Sequence, residues 1–228
     1  MGNLAEELMS QLTCETAFTI PIFGGIGIPE SVVATWIIMA FLVILSIWLT
    51  SNLKVVPTSK RQVFVETCVV TLQGLFDDIL GEHGRKYIPY LVTVLLYIAC
   101  ANLIGLVGIK PPTKDLNITA GMAIMSIVLV QFAGIKGKGT KGWLKSFTQP
   151  MAIITPINIM EVIIKPLSLC MRLFGNVLGS FVVMELIKII VPAFVPLVFS
   201  LYFDIFDGLI QAYVFVFLTA LFIKEAME

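Results

Sequence analysis

The sequence predicts an all-α polytopic membrane protein. About five membrane helices and one amphipathic surface helix are expected, the last two membrane helices long, tilted and forming a hairpin. Three observations carry this. Of 228 residues, 58% are hydrophobic and 13% charged. Mean hydropathy is +0.98, too apolar for a soluble domain with its polar shell. The apolar residues also fall in runs of bilayer length, and the last third of the chain has no polar loop.

Residues 1–30 read as an outer N-terminal segment. MGNLAEELMSQ carries two acids and no Lys or Arg, the wrong start for a secretory signal or a transit peptide. Residues 31–51 are uncharged and reach about 30 Å as a helix, one bilayer core. Residues 63–80 differ. Phe64, Val65, Cys68, Val69, Leu72, Leu75, Phe76, Ile79 and Leu80 cover one helical face, while Glu66, Gln73 and Asp77 lie off it. That is the pattern of a helix on the membrane surface.

Residues 87–107 form a second span, with Asn102 as its only amide. Residues 117–135 form a third, Asn117 being placed to cap it. A basic glycine loop, GIKGKGTKG at 134–142, follows. The hairpin then takes residues 146–191 and 196–223, with a tight turn at VPAFVP. Forty-odd helical residues reach about 60 Å, so the first arm tilts, with soft breaks expected near Pro156 and Pro166.

Charge placement orients these elements. Lys54, Lys60, Arg61, Arg85, Lys86, Lys136, Lys138, Lys141, Lys145 and Lys224 fall on one side if the N-terminus is outside and the C-terminus inside. Only Lys110 and Lys114 then fall in an outer loop. The positive-inside rule selects this topology, with Lys138 and Lys141 cytoplasmic and Lys114 outward.

Net charge is +0, which gives no reason to expect a nucleic-acid partner. Cys14, Cys68, Cys100 and Cys170 are scattered, no CxxC exists and His83 is the single histidine. No metal site, cofactor or catalytic group is expected.

The polar residues of the last third are the informative ones. With Glu161 at zero and about 100° per residue, Lys165, Ser168, Arg172, Asn176 and Gly179 fall within about 60° of it or less. Arg172 is about 17 Å along the axis from Glu161, near mid-bilayer. Ser200, Asp204, Asp207, Gly208 and Gln211 make a second stripe on the return helix, about 100° wide. Charges inside apolar helices mark function by default. Asn102 and Gln131 read equally well as helix–helix glue. Glu185 and Lys188 have a snorkelling alternative. Arg172 does not: it is too deep, and its guanidinium stays charged.

The runs PINIMEVIIKPLSLCMRLFGNVLGSFVV at 156–183 and FDIFDGLIQAYVFVFLTALF at 203–222 resemble subunit a of F-type ATP synthases. PPTKDLNIT at 111–119 is similar to that family too. The resemblance implies a non-catalytic stator subunit with two offset half-channels. These pass H+ or Na+ to and from carboxylates of a c-ring and couple ion flow to rotation and ATP synthesis. It implies b subunits of a peripheral stalk and membrane lipid as further partners, and a bacterial inner (plasma) membrane. Arg172 matches the stator arginine, and Glu161 and Ser168 match polar positions on its cytoplasmic side. Asn176 matches the asparagine one turn beyond, and Gln211 the glutamine facing the arginine. Asp204 matches an acid-or-histidine position of the outer half-channel. The family's acid after Asn176 is replaced by Phe181, so Glu185, Asp204 and Asp207 are the expected outer-channel groups. A self-contained channel or secondary transporter would predict internal repeats, and an intramembrane enzyme a nucleophile with its base. The sequence displays neither.

Overall fold

Proline, glycine and a few buried polar groups decide where each helix starts and stops. The structure, a computed structural model, describes residues 16–20, 26–51, 53–54, 59–148, 155–190 and 194–227. Strands β1 (Thr16–Ile20) and β2 (Ile26–Pro29) pair antiparallel as a small hairpin. The hydrophobic pattern gave no sign of it. Among the described residues, everything after it is helical or connecting chain: α1 (Glu30–Thr50), α2 (Lys60–Gly84), α3 (Ile88–Leu103), α4 (Leu116–Ser146), α5 (Thr155–Ile190), α6 (Phe194–Ser200) and α7 (Gly208–Met227). Among the described residues, five helical stretches are long and apolar enough to cross a membrane, one of them running from Lys60 to Val107 through α2 and α3. The protein is an all-α polytopic membrane protein in its membrane part.

Contacts fix the two ends of the bundle. Glu30 at the start of α1 pairs with Lys110 at 3.6 Å, and Ser31 Oγ donates to Asp115 Oδ2 at 2.5 Å. At the opposite end, Met227 packs on Gly137 of α4 and on Gly84 of α2, where a β-carbon would lie 3.1 Å from it. Arg61 Nη2 donates to the carbonyl of Ser51, just past α1. So α2 starts and finishes at the same end of the bundle and lies across it. Of its apolar face, Phe76 and Leu80 enter the core, while Phe64, Val69 and Leu75 stay exposed. Gly81, at φ 62° and ψ −173°, breaks the helix where a side chain would be strained.

Three local expectations change. The cap of α4 is Asp115, whose Oδ1 accepts from the Asn117 backbone N–H at 2.9 Å; a cap sits outside the helix, and Asn117 is already inside. The basic glycine stretch is helical, since α4 runs to Ser146 with one non-helical residue, Gly139, at φ 73°. Residue 146 thus belongs to α4, and the described part of the long helix starts at Thr155. That helix continues through Pro166, and Pro156 is the second residue of its described part. Its 36 residues span about 54 Å. Residues 191–193 of the expected turn lie outside the described residues.

The return helix carries an interruption that no periodicity revealed. Leu201–Asp207 is a π-helical segment, wider than an α-turn and common at functional sites. Asn102 is stitched to its end. The Asn102 side chain donates to the Gly208 carbonyl at 2.9 Å and accepts from Thr113 Oγ1 at 2.8 Å. Gly208 suits that close approach, because a β-carbon on it would come 3.0 Å from that of Asn102 and one of the two would have to give. Asn102 therefore joins two helices, whereas Gln131 Oε1 accepts from Trp143 Nε1 at 3.0 Å within α4, across the break at Gly139.

Removing the Asn102 amide takes the acceptor from the buried Thr113 hydroxyl and cuts the side-chain tie to the Gly208 carbonyl. Interhelical hydrogen bonds in membrane proteins contribute about 0.6–2 kcal/mol each. Asn102→Leu should lower the thermal midpoint of the purified chain in detergent, corresponding to about 1–3 kcal/mol. An unchanged midpoint would show that the stitch is dispensable.

Candidate functional site

Helix α5 sorts its residues by face. Leu169, Cys170, Leu173, Val177 and Met184 are buried against the bundle. Glu161, Ser168, Arg172 and Asn176 are exposed. β-carbons added at Gly175 and Gly179 would meet nothing within 4 Å. The polar stripe thus lies on an open face of the protein. Arg172 is the eighteenth of 36 residues, about 26 Å from either end of the helix. Among the described residues, no hydrogen bond or ion pair reaches its guanidinium. Leu167 and Met171 nearby are exposed and apolar.

One turn beyond, the two arms of the hairpin meet. Asn176 Nδ2 donates to Gln211 Oε1 at 2.7 Å. Gln211 is buried at 3% exposure, and its own Nε2 has no partner among the described residues. The glutamine expected to face Arg172 is held by Asn176, directly behind the arginine's face.

Toward the Lys110 end, α3, α5 and the π-helical segment enclose a cavity of about 430 Å³. Glu185, Asp204 and Asp207 all line it, with Ser180, Phe181 and Lys188. The π turn separates the two aspartates. Asp204 Oδ2 accepts from Ser200 Oγ at 2.6 Å, and its Oδ1 lies 3.2 Å from where Gly105 would carry a β-carbon. Asp207 Oδ2 instead accepts from Ser180 Oγ at 3.2 Å, across on α5. A single α-helical stripe would have stacked them. Lys188 Nζ binds Glu185 Oε1 at 2.7 Å. Lys114, expected as an exposed outer-loop cation, is buried at 7% exposure, with its ammonium 4.7 Å from the Phe181 ring centroid. Phe181 thus puts an aromatic face between that lysine and the cavity.

Toward the other end, Lys165 is shared by two carboxylates, Glu161 at 3.2 Å and Glu225 at 2.8 Å. The second contact ties α5 to the last turn of α7. Sequence reasoning missed Glu225, which follows the apolar run, and Ser180, whose partner only the π turn brings near. These exposed pairs contribute about 0–1 kcal/mol each, so they orient side chains more than they hold the fold. No cluster able to hold a metal ion occurs among the described residues.

The arrangement has three parts along one helix: an acidic cavity, a central cation on an open face, and a carboxylate pair around a lysine. Ionisable groups thus stand toward both ends of the helix with a fixed cation between them.

Comparisons with known proteins bear on this geometry. The family model described as ATP synthase A chain matches residues 32–224. The chain is 37% identical over 203 residues to the ATP synthase subunit a of Moorella thermoacetica, covering 89% of this chain and 92% of that one. It is 33% identical over 219 residues to ATP synthase subunit a 2 of a Bradyrhizobium species, 96% of each chain. It is also similar to the ATP synthase subunit a of Propionigenium modestum described as sodium ion specific, 32% identical over 219 residues, 89% of this chain and 75% of that one.

A polar cavity this size holds water. In a background with the native cysteines replaced by alanine, Ser180→Cys should react many-fold faster with a small methanethiosulfonate than Leu173→Cys, which has no exposure. Equal rates would mean that the cavity is closed to solvent.

Proposed function

The chain belongs to the ATP synthase A chain family, and on that premise we propose that it is the stator subunit of a rotary F-type ATP synthase. It provides two offset half-channels that deliver H+ or Na+ to the carboxylates of a c-ring and take them away again. It has no catalytic role of its own. The single observation that carries this reading is Arg172: a permanent cation at mid-helix, on an exposed face, without a partner among the described residues.

Electrostatics supplies the mechanism. An ion-loaded rotor carboxylate is neutral and tolerates lipid, whereas an ionised one is costly to bury. A guanidinium about 4 Å away favours the ionised form by about 4 kcal/mol at an effective dielectric near 20. That corresponds to about three pKa units. Arg172 thereby discharges each carboxylate as it arrives. The same charge repels a cation crossing directly between the half-channels. The ion must ride the ring, and flow down its gradient turns the rotor.

The cavity lined by Glu185, Asp204 and Asp207 supports an outer half-channel leading toward Asn176 and Gln211. The exposed Glu161 and Ser168 support an inner half-channel opening where Lys165 and Glu225 meet. The ten cations at the Lys138 end support a cytoplasmic C-terminus and an external N-terminus. α2, lying across that end, acts as a surface helix. The c-ring covers the open face of α5, b subunits of the peripheral stalk contact the remaining flank, and the assembly sits in a bacterial plasma membrane.

The test uses vesicles carrying the assembled membrane sector with the catalytic sector bound. Ion flux and ATP synthesis are measured together. Arg172→Ala should abolish synthesis and open a passive leak. Arg172→Lys should also fail at coupling, because a buried lysine can lose its proton. Asp204→Asn should slow synthesis, and Glu185→Gln should do so less. Normal synthesis by the alanine variant contradicts the reading. Full activity in Asp204→Asn, Asp207→Asn and Glu185→Gln alike would move the access path elsewhere.

A further inference from the structure

The lysine-rich end of α4 is a built surface. Residues 116–148 contain no Asp or Glu. Ile124, Met125, Val128 and Phe132 are exposed on one side of α4, an apolar stripe of the kind that faces lipid. Lys136 continues that stripe by one turn, with its ammonium 4.7 Å from the Phe132 ring centroid. This is where an apolar membrane face ends and a cation takes over, the position of a headgroup layer.

The chain then folds back on itself. Gly139 turns it at positive φ. Trp143 returns to α4, where its indole N–H is held by Gln131 and its Cδ1 lies 3.2 Å from the β-carbon position of Gly134. Gly142 allows the same close approach to Lys138 Cβ, at 3.2 Å. The second arm is therefore held through Trp143. It leaves Leu144 two-thirds exposed beside Lys141 and Lys145, which are also exposed. Among the described residues, none of Lys136, Lys138, Lys141 and Lys145 is ion-paired. The neighbouring acid on α7, Glu225, is engaged by Lys165.

We propose that this hook is a docking site for the phosphate headgroup of an anionic phospholipid. The four ammonium groups hold the headgroup, while Leu144 and the end of the apolar stripe meet its acyl chains. A zwitterionic headgroup carries its own cation beside the phosphate and competes poorly. The pinned indole fixes the depth at which the site sits. The proposal needs the spans to cross a membrane and is independent of ion translocation through the hairpin.

The experiment titrates the purified full chain in detergent with dioleoyl phosphatidylglycerol or dioleoyl phosphatidylcholine and counts bound lipid by native mass spectrometry. The wild-type chain should prefer phosphatidylglycerol. Each surface lysine contributes about fivefold toward anionic lipid, so replacing all four by Gln should reduce the preference at least about tenfold. Replacing all four by Arg should keep it. An absent preference in the wild-type chain, or an unchanged one in the Gln variant, overturns the proposal. So does protection of these lysines from an amine-modifying reagent in the lipid-stripped assembled complex, which would assign the hook to a neighbouring protein chain.

Discussion

A guanidinium cannot be left in hydrocarbon. Arg172 sits at the midpoint of a 36-residue apolar helix, on its exposed face, and cannot shed its charge by losing a proton. Simulated and measured costs for such a group at the bilayer centre run from about 3 to more than 10 kcal/mol. No surface ion pair of this chain offsets that. The face must therefore meet water or another protein, and the rest of the hairpin is arranged around that requirement.

Behind Arg172 the elements of the bundle are tied together by side-chain hydrogen bonds. Asn176 and Gln211 join the two arms. Asn102 fixes the point where the π turn gives way to α7. Ser31 and Asp115 tie the first span to the cap of α4. In front of it the chain is open, as Gly175 and Gly179 leave space along the same face. A tied back and an open front suit a surface past which another body slides. The π turn adds the third requirement, because it aims Asp204 at Gly105 and Asp207 at Ser180. Two carboxylates from one segment thus line the cavity in different directions.

Much of this was legible in the sequence, for physical reasons. Apolar runs of bilayer length have one stable outcome, so α1, α3 and the apolar core of α4 fall where hydropathy places them. The stripe from Glu161 to Gly179 obeys α-helical periodicity because α5 is continuous through Pro166. What escaped depends on backbone that departs from periodicity. The π segment shifts Asp204 and Asp207 off the predicted stripe, and no residue type announces it. Glycines at 134, 137, 139 and 142 suggested a loop, since glycine weakens helices. Three of them instead admit Trp143, Met227 and Lys138 at close range. The burial of Lys114 depends on Phe181, 67 residues away in sequence, and charge counting assigns every lysine to a surface.

The central claim is that the open face carrying Arg172 is the face presented to the rotor. Cysteine cross-linking in the assembled membrane sector tests it most directly. Ser168→Cys, on that face, is paired with a cysteine one helical turn from the ion-binding carboxylate of the rotor subunit. Val216→Cys, fully buried on the opposite arm, is the control. The account predicts a disulfide between Ser168→Cys and the rotor cysteine under mild oxidation, and none from position 216. Absence of any cross-link from position 168, in a complex that assembles and hydrolyses ATP normally, would contradict it.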